Sequence, residues 1–335
     1  MTGKGARFLA ILSVAIVSVV VSACGSSSTG GTSTTPLYVG TYPGIDPYEE
    51  QLKASFMAEG AKLGVKVSWL TPTTFDVAQQ LTITESALSQ PGIAGLSVVA
   101  ADPNSLEGVM KKAQQKGLGL SQLSACTPQA VAAICYSTDF EKAGATVAQK
   151  MGQVMGGSGD VVIATGVPGD TNHQLRIKGF TDYMNQNYPN IKIVQTIANC
   201  DSADKTVSCA ETALSGHPNL RGYYGTGGQA SVGAFTVFSR AHKKVAVAAV
   251  DDDPTTIAAI KGSDQYFTYV QAPYCQGIMM VYLPYVMVTK HLKPTQKFFD
   301  TGVTIVDSAN VNNYQDTVKA NCTKLLQDLD TNVMK

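Results

Sequence analysis

The sequence carries no excess charge of either sign, since 25 Lys and Arg residues are balanced by 25 Asp and Glu residues. Proteins that bind nucleic acid usually show a basic excess or a basic stripe, so no nucleic-acid partner is expected. Only 15% of the residues are charged and 44% are apolar, which is not the composition of a disordered chain. The 335 residues are enough for two folded domains.

The residues that metal and catalytic sites require are scarce or badly spaced. Only four histidines occur, none at the spacing of a metal site, and no Cys-x-x-Cys pair is present. The chain also lacks the Gly-x-Ser-x-Gly, His-Glu-x-x-His and Walker sequences of common hydrolases. The acidic triplet 251–253 does not have the spacing of a calcium-binding loop. We therefore expect no catalytic residue, no metal and no cofactor.

The N-terminus has the pattern of an export signal. A short positive segment precedes the uncharged apolar run 8–21, which is shorter than the roughly 20 residues of a membrane-spanning helix. Two small residues directly before Cys24 resemble the lipobox of bacterial lipoproteins, in which the cysteine is lipidated and becomes the new N-terminus. The alternative is an ordinary secretory signal in which Cys24 is incidental.

We expect residues 1–24 to be a lipoprotein signal peptide that ends at Cys24, and the Gly/Ser/Thr-rich residues 25–36 to form a flexible linker. The mature protein would then be exported and anchored to the outer face of the cytoplasmic membrane. The lipid at Cys24 would be its only contact with the membrane.

Six cysteines remain after Cys24, and an even number in an exported protein indicates disulfide bonds. Six cysteines allow fifteen pairings. Closure between nearest neighbours favours one of these, because two pairs are each separated by nine positions, 126 to 135 and 200 to 209. The predicted bonds are Cys126–Cys135, Cys200–Cys209 and, by elimination, Cys275–Cys322.

From Leu37 onward, short apolar runs alternate with amphipathic stretches such as the face of Leu52, Phe56 and Gly60. This alternation is typical of βαβ units with parallel sheets, and a pause at 126–138 separates a first set of units from a second. The predicted fold class is α/β, with two doubly wound parallel-sheet lobes. The predicted strands are Leu37–Val39, Val65–Leu70, Gly95–Val99, Gly119–Leu123, Val161–Thr165, Ile191–Ile197, Tyr223–Tyr224, Val245–Val250 and Phe267–Val270.

Ligands of doubly wound sheets bind outside the carboxyl ends of the strands, so the residues that directly follow each strand are the candidate site. Several of these segments are polar. They are residues 41–48, 101–104, 166–172, 251–254 and 271–273.

The order of these segments resembles the type I periplasmic substrate-binding proteins of bacterial ABC importers, especially the ribose-binding branch. Asp46-Pro47-Tyr48 matches the family's Asn-Pro-Phe after the first strand, and Arg176 matches the arginine before a Gly-Phe pair. Asp251 matches the aspartate after a Val-rich strand, and Gln271 matches the hinge-side glutamine. Two positions depart from the family, because its Asp-Arg falls here at Ser124-Ala125 and its Asn-Asp at Gly227-Gly228.

The resemblance implies a three-crossover hinge with crossings near Thr138–Asp139, Gln271 and Phe299–Gly302. The N-terminal lobe would comprise 37–138 plus 272–300, and the C-terminal lobe 139–271 plus 301–335.

The resemblance also implies a monomeric, non-enzymatic protein that captures a sugar or polyol between its lobes and delivers it to an ABC importer permease. Arginine donors, carboxylate acceptors and a tyrosine ring suit vicinal hydroxyls and an apolar sugar face. Besides Asp46, Tyr48, Arg176, Asp251 and Gln271, the expected site includes Glu49, Ser124, Asp170, Asn172, Gly227 and Gln229.

The main candidates also have structural interpretations. Arg176 could be an exposed helix residue in an ordinary ion pair. Asp251 could cap the helix that begins near Pro254, although the next two aspartates are better placed for that. Asp46 before Pro47 has the position of an N-cap, a role that is compatible with ligand contact. Trp69 is expected in a lobe core rather than against a ligand.

Two other functions compete with transport. The loop 225–230 fits Gly-x-Gly-x-x-Ala after a strand, and Asp251 ends the next strand, as in a dinucleotide-binding fingerprint. Against an NAD-dependent oxidoreductase stand the late position of this match and the exported location. The other alternative is a sensor that presents its small molecule to a membrane receptor instead of a permease, since the same fold serves both roles.

Overall fold

The computed structural model describes residues 35–101, 104–126 and 131–335. The predicted signal peptide, the lipidation site Cys24 and all but the end of the linker lie outside these ranges. None of the helices in the described ranges has both the length and the apolar character that a membrane span requires.

The chain alternates strands and helices throughout. Its first part comprises β1 (Leu37–Thr41), α1 (Pro47–Leu63), β2 (Lys66–Leu70), α2 (Val77–Ala87), β3 (Ile93–Ala100), α3 (Glu107–Gln115), β4 (Gly119–Ser124) and β5 (Ile134–Ser137). The middle comprises α4 (Phe140–Met155), β6 (Ser158–Ala164), α5 (Thr171–Asn187), β7 (Asn190–Ile197), α6 (Thr206–Gly216), β8 (Leu220–Gly225), α7 (Val232–Arg240), β9 (Ala246–Val250), α8 (Pro254–Lys261) and β10 (Tyr266–Val270). The last part comprises α9 (Pro273–Thr289), β11 (Phe298–Asp300), β12 (Thr304–Val306), α10 (Tyr314–Asp328) and a π-helical segment, Leu329–Val333.

Local sequence signals set the helix ends. Asp46 caps α1 by accepting a hydrogen bond from the backbone N–H of Glu49, and Pro47 occupies the first helical position. Gly64 ends the same helix at a φ of 68°, the left-handed conformation that a residue without Cβ adopts most easily.

The strands form two six-stranded sheets. The first has the order β11-β5-β4-β3-β1-β2 and is parallel throughout. The second has the order β12-β10-β9-β8-β6-β7 and is parallel except for the β10–β12 pair. The strand order reverses beside β1 in one sheet and beside β6 in the other, and such switch points are where doubly wound sheets bind ligands. The predicted fold class is confirmed.

The chain passes between the two sheets three times. The passages lie between β5 and α4, between β10 and α9, and between β11 and β12. Hydrogen bonds join them, because the Asp300 carboxylate accepts from the backbone N–H groups of Asp139 (3.1 Å) and Gly302 (2.8 Å). Gln276 at the start of α9 donates to Thr301 Oγ1 (2.9 Å). Hydrogen bonds therefore connect the three segments of the chain that pass between the sheets.

The core includes a largely buried helix, α9, which packs against α1 and against β1, β3 and β4. Met279 and Met280 are fully buried in it, as expected of helix packing rather than of a ligand surface. On its other side α9 packs against α10, whose Val318 and Cys322 are buried in the same core. The residue bounds predicted for the two lobes stay predictions.

The described chain contains three disulfides with the predicted pairings. They are Cys126–Cys135, Cys200–Cys209 and Cys275–Cys322.

Three short strands were not predicted. β5 lies within 126–138, so the interpretation of that segment as a pause between sets of strands is wrong: it contains a strand of the first sheet. β11 and β12 have three residues each, too few for a hydrophobic pattern to become visible.

Candidate functional site

Three predicted residues form one hydrogen-bonded chain: Arg176 of α5, Asp251 directly after β9 and Gln271 directly after β10. Arg176 Nη2 donates to Gln271 Oε1 (3.2 Å), and Gln271 Nε2 donates to Asp251 Oδ1 (2.8 Å). The other terminal nitrogen, Arg176 Nη1, donates to the carbonyl oxygen of Thr226 (3.0 Å). The Gln271 amide thus connects a cation to a carboxylate where the chain passes between the sheets.

Arg176 lies in the interior of the protein, with only 6% of the residue exposed. Its guanidinium carbon is 4.5 Å from the centre of the Phe140 ring and 5.9 Å from that of Tyr269, so aromatic faces contribute to its stabilisation. Within the described residues, Arg176 Nε has no hydrogen-bond partner. The interpretation of Arg176 as an exposed residue in an ion pair is therefore wrong.

Close packing of α4 on α5 fixes the position of Arg176. A Cβ atom added to Gly144 of α4 would lie less than 3.0 Å from the carbonyl oxygen of Arg176, and one added to Gly179 would lie as close to that of Glu141. Only hydrogen at these two positions lets the helices approach this far. The two glycines therefore set the depth at which the guanidinium enters the site.

Asp251 directly follows β9 with a φ of 63°, a conformation that residues other than glycine seldom adopt. Two hydrogen bonds hold this turn. The Asp251 N–H donates to the Tyr269 carbonyl (2.8 Å), and Thr268 Oγ1 donates to the Asp251 carbonyl (2.7 Å). The helix cap is a different residue, because Asp253 accepts from the N–H of Thr255 (2.8 Å) at the start of α8. Capping therefore does not account for Asp251.

The Asp251 carboxyl group titrates unusually. Burial raises its pKa from 3.8 to about 7, and the Gln271 hydrogen bond and the Arg176 charge offset only part of this shift. Carboxyl groups with such a raised pKa cluster at functional sites. Asp251 is thus a hydrogen-bond acceptor whose charge is not fully stabilised by the residues around it.

Asp46 and Tyr48 enter the site from the first sheet. Asp46 Oδ1 caps α1 through Glu49 N (2.7 Å), and its Oδ2 accepts from the Tyr42 hydroxyl (2.8 Å). Tyr48 donates its hydroxyl to Gln276 Oε1 (2.6 Å). Burial and the nearby carboxylates of Asp251 and Asp46 raise the pKa of Tyr48 well above its usual value. The tyrosine from one lobe therefore faces the aspartate of the other.

Among the further predicted residues, Glu49 is buried and accepts a hydrogen bond from Trp69 Nε1. Burial raises the pKa of this carboxyl, and the indole hydrogen bond partly opposes that rise. Trp69 itself is partly buried and packs on Phe56, at 5.3 Å between ring centres, in agreement with a position in the lobe core. The Glu49 side chain thus points from α1 into the lobe, where it bonds to Trp69.

Two contacts join the lobes across the site. Asn172 Nδ2 of α5 donates to the Oγ atom of Ser124, the last residue of β4, over 3.4 Å. Gln51 Nε2 of α1 donates to Asp252 Oδ1 (3.0 Å). Asp170 caps α5 by accepting from the N–H of Asn172 (2.7 Å). The predicted residues Ser124, Asp170 and Asn172 therefore lie together where the two lobes meet.

The glycine-rich loop after β8 has a carboxylate on it. Asp201, which follows β7, accepts the backbone N–H of Gln229 with its Oδ1 (2.7 Å), and a Cβ atom on Gly227 would collide with the same carboxylate. In a dinucleotide site the N–H groups of such a loop face the pyrophosphate. A carboxylate on this loop repels a phosphate, so the geometry disfavours NAD binding here.

Sequence reasoning missed several residues that contact the predicted ones. They are Tyr42, Asp201, His173, Thr226 and Gln276. Asp201 follows the carboxyl end of β7 and Thr226 that of β8, so the rule used for the other candidates applies to them. Gln276 is a buried polar residue in the otherwise apolar N-terminal half of α9, which is a usable signal.

A cavity of about 330 Å³ lies beside the third passage of the chain. Residues 301–304 line it together with Asn321 and Lys324 of α10. None of the predicted site residues lines it, although Ala272, the neighbour of Gln271, does.

Comparison with known proteins decides the family. Residues 38–293 match the model of the periplasmic binding protein domain, which covers every predicted ligand-binding residue. The chain belongs to the type I periplasmic binding proteins of ABC importers. Members of this family are binding proteins rather than enzymes.

Two curated proteins and a solved structure illustrate what this binding protein resembles. It is 22% identical to the ribose import binding protein of Bacillus subtilis over 68% of this chain and 73% of that protein. It is 26% identical to a xylitol-binding protein of Mycolicibacterium smegmatis over 78% of this chain and 75% of that protein. An ABC transporter solute-binding protein from Burkholderia graminis, solved in complex with D-arabinose, is 30% identical with a TM-score of 0.77. That match covers 83% of this chain and 97% of the other.

Proposed function

We propose that this protein captures a sugar or polyol between its two lobes and delivers it to the permease of an ABC importer. One observation carries the proposal: the chain of hydrogen bonds from Arg176 through Gln271 to Asp251 faces Asp46 and Tyr48 of the other lobe. The five residues that match the ribose-binding branch thus converge in space, although they are far apart in sequence.

The chemistry of this group suits a neutral polyhydroxyl ligand. The buried guanidinium offers donors in a fixed fork, the carboxylates offer acceptors, and vicinal hydroxyls both donate and accept. Tyr42 and Tyr48, with ring centres 6.3 Å apart, supply apolar faces for the C–H side of a sugar ring. Ligand held between two lobes favours hinge closure, because both lobes contact it only in the closed state.

The relatives support the same ligand class. One relative is named for ribose and one for xylitol, and the third was solved with D-arabinose bound. All three are small, uncharged molecules that carry hydroxyl groups on successive carbons. A sugar or polyol of this kind is our proposal for the cargo of this chain.

We also propose that the protein is exported and monomeric. A lipid on Cys24 would hold it at the outer face of the cytoplasmic membrane. Three disulfides support an oxidising compartment. Mass spectrometry of the mature N-terminus tests the anchor: a diacylglycerol adduct on Cys24 is expected, and Cys24→Ala should release the protein from membranes. Membrane retention of the alanine variant would contradict it.

A thermal-shift screen of the purified protein tests the ligand class. D-Ribose, D-arabinose, D-allose, xylitol and D-arabinitol are the probes, with NAD as the competing ligand. At least one polyhydroxyl compound should raise the melting temperature, because binding to the folded state alone adds stability. A folded protein that responds to none of them, or only to NAD, would disprove the proposal. Calorimetric titration then gives stoichiometry, which should be one ligand per chain.

A further inference from the structure

Asp201 lies at the same sheet edge as the proposed site although no matched motif includes it. It follows β7, while Asp170 follows β6, Gly227 follows β8 and Asp251 follows β9. Because these four strands are parallel neighbours, the residues after them share one edge. A Cβ atom on Gly228 would lie 3.6 Å from Asp251 Oδ2, so the loop that contacts Asp201 also adjoins Asp251.

The Asp201 carboxylate occupies the space of a missing side chain. A Cβ atom on Gly227 would lie less than 3.0 Å from both carboxylate oxygens of Asp201. The backbone of Gly227 is not in the positive-φ region, so its conformation would accept a side chain. The Asp201 carboxylate is the first group that such a side chain would meet. The chain thus presents an aspartate from the β7 loop where a side chain from the β8 loop would stand.

Two bonds fix the position of Asp201. Its neighbour Cys200 is fully buried and bonded to Cys209 of α6. Its Oδ1 accepts from Gln229 N (2.7 Å), and its Oδ2 lies 3.7 Å from His173 Nε2. A carboxylate held this way needs little ordering when a ligand arrives.

One carboxylate oxygen of Asp201 stays available. Within the described residues Oδ2 accepts no hydrogen bond, and the side chain is 24% exposed. His173 does not neutralise it, since burial and the charge of Arg176 lower the pKa of the imidazole. His173 Nδ1 lies within hydrogen-bond distance of both Thr226 O (3.1 Å) and Thr226 Oγ1 (2.9 Å), so the imidazole contacts Thr226 through this nitrogen. His173 Nε2 lies 3.7 Å from Asp201 Oδ2, which is too far for a hydrogen bond.

We propose that Asp201 is a ligand-contacting residue that determines specificity, accepting a hydrogen bond from a ligand hydroxyl at the side of the site away from the hinge. This inference rests on the proposed function. With Asp170 and Asp251, which act electrostatically on the buried Arg176, it places three carboxyl groups at one sheet edge. A negatively charged sugar derivative is repelled by this arrangement, so Asp201 discriminates sugars and polyols from sugar acids.

Asp201→Asn tests the inference, with Asp204→Asn as the matched control from the same loop. Asp204 is exposed, with 71% of its side chain accessible, and its Oδ1 accepts from Ser202 rather than from a residue of the site. Calorimetric titration of the mature, disulfide-bonded protein uses xylitol, D-ribose, D-arabinose and D-allose as neutral probes and D-xylonate and D-ribonate as anionic ones. Asp201→Asn should lower the affinity for the best neutral ligand at least tenfold. It should also lower the ratio of neutral-ligand affinity to anionic-ligand affinity at least tenfold. Asp204→Asn should match wild type within twofold.

The outcomes separate this inference from the proposed function. If wild type binds none of the neutral probes, the proposed function fails and this inference with it. If wild type binds a neutral probe and Asp201→Asn keeps the same affinity and ratio, only the role of Asp201 is overturned. A lower melting temperature without any change in affinity also overturns it, because Asp201 would then only stabilise the β8 turn.

A double-mutant cycle with Gly227 gives a second test. Gly227→Ala should displace the Asp201 carboxylate and lose affinity at least tenfold. Adding Gly227→Ala to Asp201→Ala should cost little more, because the colliding group is gone. Additive losses, or wild-type affinity in Gly227→Ala, would contradict the placement of the carboxylate.

Discussion

Gln271 contacts Arg176 with its amide oxygen and Asp251 with its amide nitrogen, at 3.2 and 2.8 Å. A side-chain amide is well suited to this bridge, because it accepts at one end and donates at the other. Gln271 also stands where the chain leaves β10 for α9. The cation, the carboxylate and the hinge are thereby connected through a single side chain.

Loss of Arg176 or Asp251 should weaken ligand binding severely. A hydrogen bond to a charged group is worth about 1.5–3 kcal/mol, and truncation leaves its partner unpaired in a desolvated site. Arg176→Ala and Asp251→Ala should each lower the affinity for the best sugar of the screen roughly 10- to 1,000-fold. Isothermal titration measures this, with the exposed Arg240→Ala as a control that should leave affinity unchanged. Affinities within twofold of wild type for both variants would show that the site is elsewhere.

Asp251 should make the ligand-free protein less stable as the pH rises. Its pKa is raised to about 7 in the folded protein, so folding is favoured while the carboxyl is protonated. This contribution is complete below about pH 4, the pKa in the unfolded chain, and is lost as the pH rises through 7. Asp251→Asn should therefore melt a few degrees above wild type at pH 8 and close to it at pH 4.

Thermal melts of ligand-free protein from pH 4 to pH 8 provide the measurement, taken as the difference between wild type and Asp251→Asn. The same variant should bind sugar more weakly, so stability and affinity move in opposite directions. A pH-independent difference would show that folding does not raise the pKa of the Asp251 carboxyl.

Gly144→Ala should displace α5 and with it Arg176. The added methyl group collides with the Arg176 carbonyl, and overpacking of this kind costs about 1–3 kcal/mol of stability. Affinity should fall as well, because the guanidinium moves. The control is Gly108→Ala in α3, where nothing lies within 4 Å of the new methyl group; this variant should be neutral or up to about 1 kcal/mol more stable. Equal melting temperatures for the two variants would contradict the packing argument.

The disulfide pairing should be found in exported protein. Peptide mapping without reduction should recover three linked pairs, 126 with 135, 200 with 209 and 275 with 322. Removing a native disulfide typically costs about 2–5 kcal/mol, so Cys200→Ser/Cys209→Ser should lower the melting temperature. Free thiols at Cys126 or Cys200 in the folded protein would refute the assignment.

Much of the fold and the core of the site could be predicted, because their signals are local. A polar residue after an apolar run indicates a strand end, and this rule found Asp251 and Gln271. Aspartate before proline indicated a helix cap at Asp46, and Asp46 is indeed the cap of α1. These features depend on residues that are neighbours in the chain.

The remainder depends on contacts between distant residues. Tyr48 and Gln276 are separated by 228 positions, and the pairing of their side chains follows only from the packing of α1 on α9. The collision between Gly227 and Asp201 likewise follows from the spacing of β7 and β8 across the sheet. Hydrophobic periodicity carries no information about contacts between distant loops. Gly227 departs from the family pattern in sequence, and in the structure the Asp201 carboxylate lies where its side chain would be.

The Cys275–Cys322 bond has a mechanical consequence. It fixes α10, which follows the last strand of the second sheet, to α9, which packs on the first sheet. The segment 307–313 therefore links the lobes in addition to the three passages of the chain. Lys150 of α4 holds Asp307 at 2.6 Å, so both ends of this link are anchored. Because Cys275 is the neighbour of Gln276, which bonds to Tyr48, the covalent end of the link also fixes the part of α9 that adjoins the predicted site.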